Sequence, residues 1–235
     1  MIELHKSIVN CKGCALCNNQ PPLIQNSKAA DVFWVGLSAV KTSIENESPL
    51  SSATNSGKLI DTIENLLLKN TFHKTNLVKC LPLDVSAKIR YPSSKEMKSC
   101  FFNLKKELSF YHPKIIFLLG KQVSTFVLQE HGVKGFTLND KFEYSTFKIG
   151  NIIFVPVHHP SYILVYKRKY IQDYILGIQK LITVVIFKDI SKNGNIRRRT
   201  KLRTNQLMVS SIKKGQSSMS ELTYKVDYNH HLVKI

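Results

Sequence analysis

Acidic side chains are scarce in this sequence: 16 Asp and Glu stand against 34 Lys and Arg in 235 residues, a formal charge of +18. That imbalance points to a polyanionic partner, nucleic acid first and an anionic membrane surface second. Long apolar runs are also missing. The longest, Leu181 to Phe187, is far too short to cross a bilayer, which excludes a membrane-spanning role. The opening residues, Met1 to Lys6, lack a basic stretch leading into an apolar one, so no secretory leader is expected. Cysteine is limited to five residues. In a cytosolic chain these are expected to bind metal or lie buried rather than form disulfides. With 43% hydrophobic and 21% charged residues, the chain is neither disordered throughout nor membranous.

Strand and helix patterns alternate along the chain. Residues 1–30, with three cysteines and Pro21-Pro22, read as a loop-rich lead-in. Asp31 to Gly36 has the pattern of a buried strand. Residues 41–56 are polar, and residues 57–69 place Leu59, Ile60, Ile63, Leu66 and Leu67 on one helical face. Thr75 to Cys80 is a short strand. Ser93 and Glu96 fit a capping box opening a helix that carries Met97, Cys100, Phe101, Leu104 and Leu108. Lys114 to Gly120 is the clearest central strand, with a short helix expected over 121–130. Residues 147–157 read as a hairpin feeding a strand that ends at His158-His159-Pro160, and 161–182 as one long helix.

This alternation predicts a three-layer α/β/α sandwich around a mainly parallel, four-stranded sheet. Ligands of such folds bind beyond the carboxyl ends of the strands. Gly36 to Val40, Asn76, Gly120 and His158 to Ser161 all sit near strand ends, and are expected to share one rim. Two regions are expected: a domain over 1–187 and a basic extension over 188–235. The extension holds 11 Lys and Arg against 3 Asp and Glu, a net of +8, five of its basic residues falling between Arg197 and Arg203. Leu202, Leu207, Met208 and Val209 offer it some apolar anchorage.

Cys11, Cys14 and Cys17 are spaced C-x2-C-x2-C. A bacterial ferredoxin run would need a fourth cysteine at position 21, where this chain has Pro21, so the set cannot close locally. Two cysteines of this loop together with Cys80 and Cys100 make a four-cysteine site, suited to a [4Fe–4S] cluster or to zinc.

In order, the chain carries Cys11 to Cys17, Val35-Gly36, Pro49-Leu50, Ser56 to Asp61, Thr75 to Pro82, Cys100, Pro113 to Gly120 and His159-Pro160-Ser161. This series resembles the iron–sulfur (family four) branch of the uracil-DNA glycosylase superfamily over roughly residues 8–182. The resemblance implies that Cys11, Cys14, Cys80 and Cys100 hold a [4Fe–4S] cluster, with Cys17 spare. It implies that Asn76 reads the polar edge of an extruded pyrimidine and that His159 hydrogen-bonds the pyrimidine O2. Gly36, Leu37, Ser38, Leu50 and Ser161 would complete the substrate site, with Leu50 where the family has a stacking Phe.

The departures are specific. Leu37 occupies the place of the family's water-handling Glu, and Ala39-Val40 replaces its Pro-Gly pair. Glu45, Glu47 and His158 are the candidates to replace that Glu. The expectation is a cytosolic, monomeric DNA glycosylase, active in repair or in defence against phage DNA. It would release uracil or a modified pyrimidine, such as a hypermodified cytosine, and leave an abasic site. A wedge at Ile163 or Leu164 would open the duplex. The rival expectation is a non-catalytic DNA-binding or damage-sensing module on a glycosylase scaffold.

Overall fold

The computed structural model describes residues 2–42, 47–193, 224–226 and 232–234, with side chains described through Ile186. Its contacts divide the chain into two units, Met1–Asp189 and Ile190–Ile235. In the first unit, β1 (Val32–Ser38), β2 (Phe72–Val78), β3 (Ile115–Leu119), β4 (Phe147–Ile149) and β5 (Ile152–Val157) form one sheet in the order β2-β1-β3-β5-β4. β1, β2, β3 and β5 are parallel, and β4 joins β5 antiparallel as a fifth, three-residue edge strand beyond the four expected. Gly150, at φ 59°, makes the hairpin turn between them. In the second unit, Tyr224–Val226 pairs antiparallel with Leu232–Lys234. Arg197 to Arg203, Leu202, Leu207, Met208 and Val209 lie outside the described residues.

The central strands are apolar on both faces because both faces are covered. On one face Phe33, Val35, Ile116 and Leu118 pack against α3 (Ser94–Tyr111) and α4 (Lys121–Glu130). On the other, Val32, Trp34, Ile115 and Phe117 pack against α2 (Asn55–Asn65), α5 (Pro160–Tyr166) and α6 (Ile171–Asn193). Trp34 stacks on Phe117 at 4.8 Å and donates its indole N–H to Glu64 at 2.8 Å. The capping box at Ser93 and Glu96 is present, and Arg90 grips both Glu96 oxygens. That guanidinium pulls the Glu96 carboxyl down to about 2.

Two segments differ from the sequence reading. The lead-in opens with a helix, α1 (Ile2–Val9), because Leu4 and Ile8, one turn apart, are both buried. The helix expected over 161–182 is two helices. α5 ends at Tyr166, Lys167 leaves helical geometry and pairs with Asp140 at 2.7 Å, and a 3₁₀ turn (Arg168–Tyr170) precedes α6. The break lets Tyr174 reach the core, where its hydroxyl donates to the His158 carbonyl at 3.0 Å.

One buried ion pair joins β2 to α3. Lys79, just beyond β2, meets Glu107 of α3, and both side chains are at most 2% exposed. Thr75 donates to the same carboxylate. Lys79 holds the Glu107 carboxyl below the usual range against the opposing effect of burial. Removing one partner of such a pair leaves a buried, uncompensated charge. Lys79→Met should therefore lower stability by about 3–5 kcal/mol, and adding Glu107→Leu should restore most of it. Urea unfolding of the single and double variants measures both.

Candidate active site and cysteine cavity

The sheet order reverses between β1 and β3, so a crevice opens at their carboxyl ends. Parallel pairing sets Gly36 of β1 beside Asn76 of β2. Asn76 is 4% exposed. Its side-chain oxygen lies so close to Gly36 that a Cβ there would approach it to 2.3 Å, and the Leu50 side chain lies 3.7 Å from the same point. Gly36, Leu50 and Asn76 thus converge on one spot. Among the described residues the Asn76 amide makes no hydrogen bond, and its polar atoms keep some access to solvent within the crevice. Leu50 holds a left-handed backbone, φ 52°. Its carbonyl and that of Ser51 sit against Gly57, where any side chain would collide with them, which seats this loop on the first turn of α2.

His159 caps α5 at the end of β5. Its Nδ1 accepts the Ser161 backbone N–H at 3.2 Å, with Ser161 Oγ 2.8 Å away. The neutral ring therefore carries its proton on Nε2, and burial lowers its pKa, keeping it neutral. Gly120, at φ 99°, brings the end of β3 against His159: a Cβ at this glycine would stand 3.3 Å from the histidine's own.

The remaining sequence-expected residues fall in different places. Leu37 packs against the cluster on the α3 side, the face opposite Gly36, and Ser38 is half-buried at the end of β1. Glu47 is held by the hydroxyls of Thr42 and Ser51, which keep its carboxyl below the usual range. Glu45 lies outside the described residues. His158 is a core residue: Tyr144 hydrogen-bonds its Nδ1 at 3.0 Å and Tyr162 stacks on it at 5.3 Å. Ile163 is fully buried and cannot be a wedge, while Leu164 is half-buried. The large side chains α5 turns outward are Tyr162, Val165 and Tyr166.

All five cysteines line a single small cavity between the N-terminal segment, the end of β2 and α3. The Lys79 backbone N–H donates to Cys100 Sγ at 3.3 Å, and the buried Asn103 amide donates to Cys11 Sγ at 3.4 Å. Burial pushes the Cys80 thiol up to about 12, and the four neighbouring cysteines add to the shift. No histidine or carboxylate lines this cavity. Among the described residues no three His, Cys, Asp or Glu side chains converge closely enough to hold one metal ion. Zinc–thiolate bonds of about 2.3 Å would require that convergence. A multi-iron cluster gives each thiolate its own iron and accepts a wider set.

Sequence reasoning missed two features. Asn103, one turn after Cys100 on α3, was detectable by helical spacing. The clamp by Gln20, which donates to the Val40 carbonyl at 3.0 Å and accepts the Thr42 N–H at 3.1 Å, had no local signal.

Polar groups gathered where parallel strands end mark an α/β enzyme. The family model described as Uracil DNA glycosylase superfamily matches residues 25–181. The chain belongs to that family, and it is a DNA glycosylase. It is similar to a type-4 uracil-DNA glycosylase of Sulfurisphaera tokodaii, at 23% identity over 168 residues, covering 68% of this chain and 73% of the relative. The matched family span includes Gly36, Leu50, Asn76 and His159, and leaves out Cys11, Cys14 and Cys17.

With its pKa lowered, His159 should stay a neutral Nε2–H donor through pH 6.5 and protonate only below it. Imidazole titration by NMR should give a midpoint under about 6.5, the free histidine value. A midpoint above that would contradict a ring kept neutral by burial.

Proposed function

We propose that this DNA glycosylase hydrolyses the N-glycosidic bond of an extruded pyrimidine-type base and leaves an abasic site. The observation that carries the reading is the Asn76 amide, set against Gly36 and Leu50 with its polar atoms unbonded and open to the crevice. A carboxamide offers both a donor and an acceptor, which matches the polar edge of a pyrimidine. Bond breaking leaves negative charge on the base and an oxocarbenium-like sugar. The His159 Nε2–H, aimed at the pyrimidine O2, stabilises the departing base. Water positioning passes from the absent motif-one Glu to Glu47, ionised and fixed beside Leu50 by two hydroxyls. Ser38 and Ser161 border the site, and Leu37 supports it from behind β1.

Uracil is the default base. Leu50 gives the pocket a flexible aliphatic wall in place of an aromatic plate, which suits a pyrimidine carrying an added group, such as the modified cytosines of phage DNA. Cys11, Cys14, Cys80 and Cys100 hold a [4Fe–4S] cluster in this reading, and Cys17 is spare, its thiol turned to Asn18 at 3.6 Å. The shared cavity, lined by thiols that do not converge on one point, supports that set over zinc. When bound, the cluster cross-links the N-terminal segment to β2 and α3. The protein works as a cytosolic monomer, and residues 188–235 add sequence-independent affinity for phosphates.

Duplexes carrying uracil, hydroxymethylcytosine or glucosylated hydroxymethylcytosine, assayed for alkali-labile sites, test the reaction. His159→Ala should lower release of the accepted base by about 10²–10³-fold. Release of uracil alone would defeat the modified-base reading. No release of any base would favour a non-catalytic DNA sensor, the reading that Leu37, packed into the core where the family has a carboxylate, supports. Visible absorbance that bleaches on reduction should accompany the purified protein; a colourless zinc protein would overturn the cluster assignment.

A further inference from the structure

A second cavity holds none of the residues discussed so far as substrate-binding. It is an open groove of about 430 Å³ between α4 and residues 133–138, within the ~300–1,000 Å³ of built ligand sites. Leu128 and Val133 lie in its wall. Lys121, Gln129, Lys134 and Thr137 stand along it, exposed, and their side chains make no hydrogen bond or ion pair with any described residue. Phe136 is half-buried in the lining. No carboxylate lines the groove. From Lys134 to Leu138 no backbone N–H is taken by a backbone carbonyl among the described residues.

We infer that this groove holds the DNA strand flanking the extruded nucleotide, in single-stranded form. Its position supplies the first argument. Lys121 follows Gly120, which touches His159, so a strand with one nucleotide at His159 has the groove mouth directly beside it. Chemistry supplies the second. Two unpaired ammonium groups, free backbone N–H groups and an aromatic ring without a neighbouring carboxylate are what a phosphodiester chain with stacking bases requires. Dimensions supply the third. From Lys121 to Gln129, α4 rises ~12 Å, about three stacked nucleotides at 3.4 Å each. A rigid duplex presents its bases inward, so a strand that stacks on Phe136 is unpaired there. This inference rests on the glycosylase reading only for the nucleotide at His159.

The test uses the full chain and a fluorescent oligothymidine strand with no excisable base. Gln129→Glu combined with Lys134→Glu should weaken binding about tenfold and flatten its dependence on salt. Lys134→Ala alone should do so in smaller measure. Both sites are exposed, and unchanged thermal unfolding confirms that the fold is kept. Affinity and salt slope equal to the wild type in both variants would overturn the groove assignment. So would equal loss when the strand is replaced by a free nucleoside monophosphate, which would mark a small-anion site. Strand binding is read without base release. A wild-type protein that binds through the groove but excises nothing retires the glycosylase reading alone, and one that excises with groove variants unimpaired retires the groove alone.

Discussion

The end of β2 is where the molecule's separate demands meet, and the Lys79–Glu107 ion pair is what fixes it. Within six residues, Thr75 and Lys79 turn toward the α3 carboxylate, Asn76 turns to the opposite face beside Gly36, and Cys80 enters the cysteine cavity. A charge pair buried to this degree tolerates little displacement, because any gap leaves an ammonium and a carboxylate without water or partner. The Gly36–Asn76 contact and the thiol cavity are thereby held in one register by a contact belonging to neither. The same Lys79 lends its backbone N–H to Cys100, so the strand end is tied to α3 twice.

The layered α/β order was legible in the sequence because buried parallel strands read as unbroken apolar runs between amphipathic helices. Lys114 to Gly120 and the Ser93–Glu96 box are the plainest instances. The break at Lys167 was not, since residues 161–182 keep a helix-compatible composition throughout. The interruption comes from tertiary demands, namely the Asp140 partner and the burial of Tyr174 beneath His158. Ile163 was misplaced for a related reason: position after His-Pro-Ser says nothing about which way a short helix is rotated. Gly36 and Asn76 were named as site residues separately, but their contact depends on the pairing register of two strands far apart in sequence.

Asn103 and Gln20 differ in legibility. Both are ordinary amides whose partners are a sulfur atom and two backbone groups; Asn103 follows Cys100 at helical spacing, whereas nothing in composition or spacing marks Gln20. Together with Asn19, which donates to the Leu81 carbonyl at 2.8 Å, they stitch the cysteine-bearing lead-in to the sheet rim. Residues 1–24 of the lead-in are outside the span matched by the family model, yet Asn19 and Gln20 bond them to the segments after β1 and β2.

Leu50 occupies a backbone conformation that glycine or asparagine would adopt with less strain. A side chain kept in an uncomfortable backbone is one whose shape is in use, and here that shape faces Gly36 and Asn76. Substituting glycine would ease the chain while removing the wall, so comfort of the loop and definition of the pocket pull in opposite directions at a single residue. Any substitution at this position meets that opposition first. A larger side chain at 50 must be grafted onto a left-handed turn already wedged against α2, whereas a smaller one would widen the pocket and loosen the constraint together.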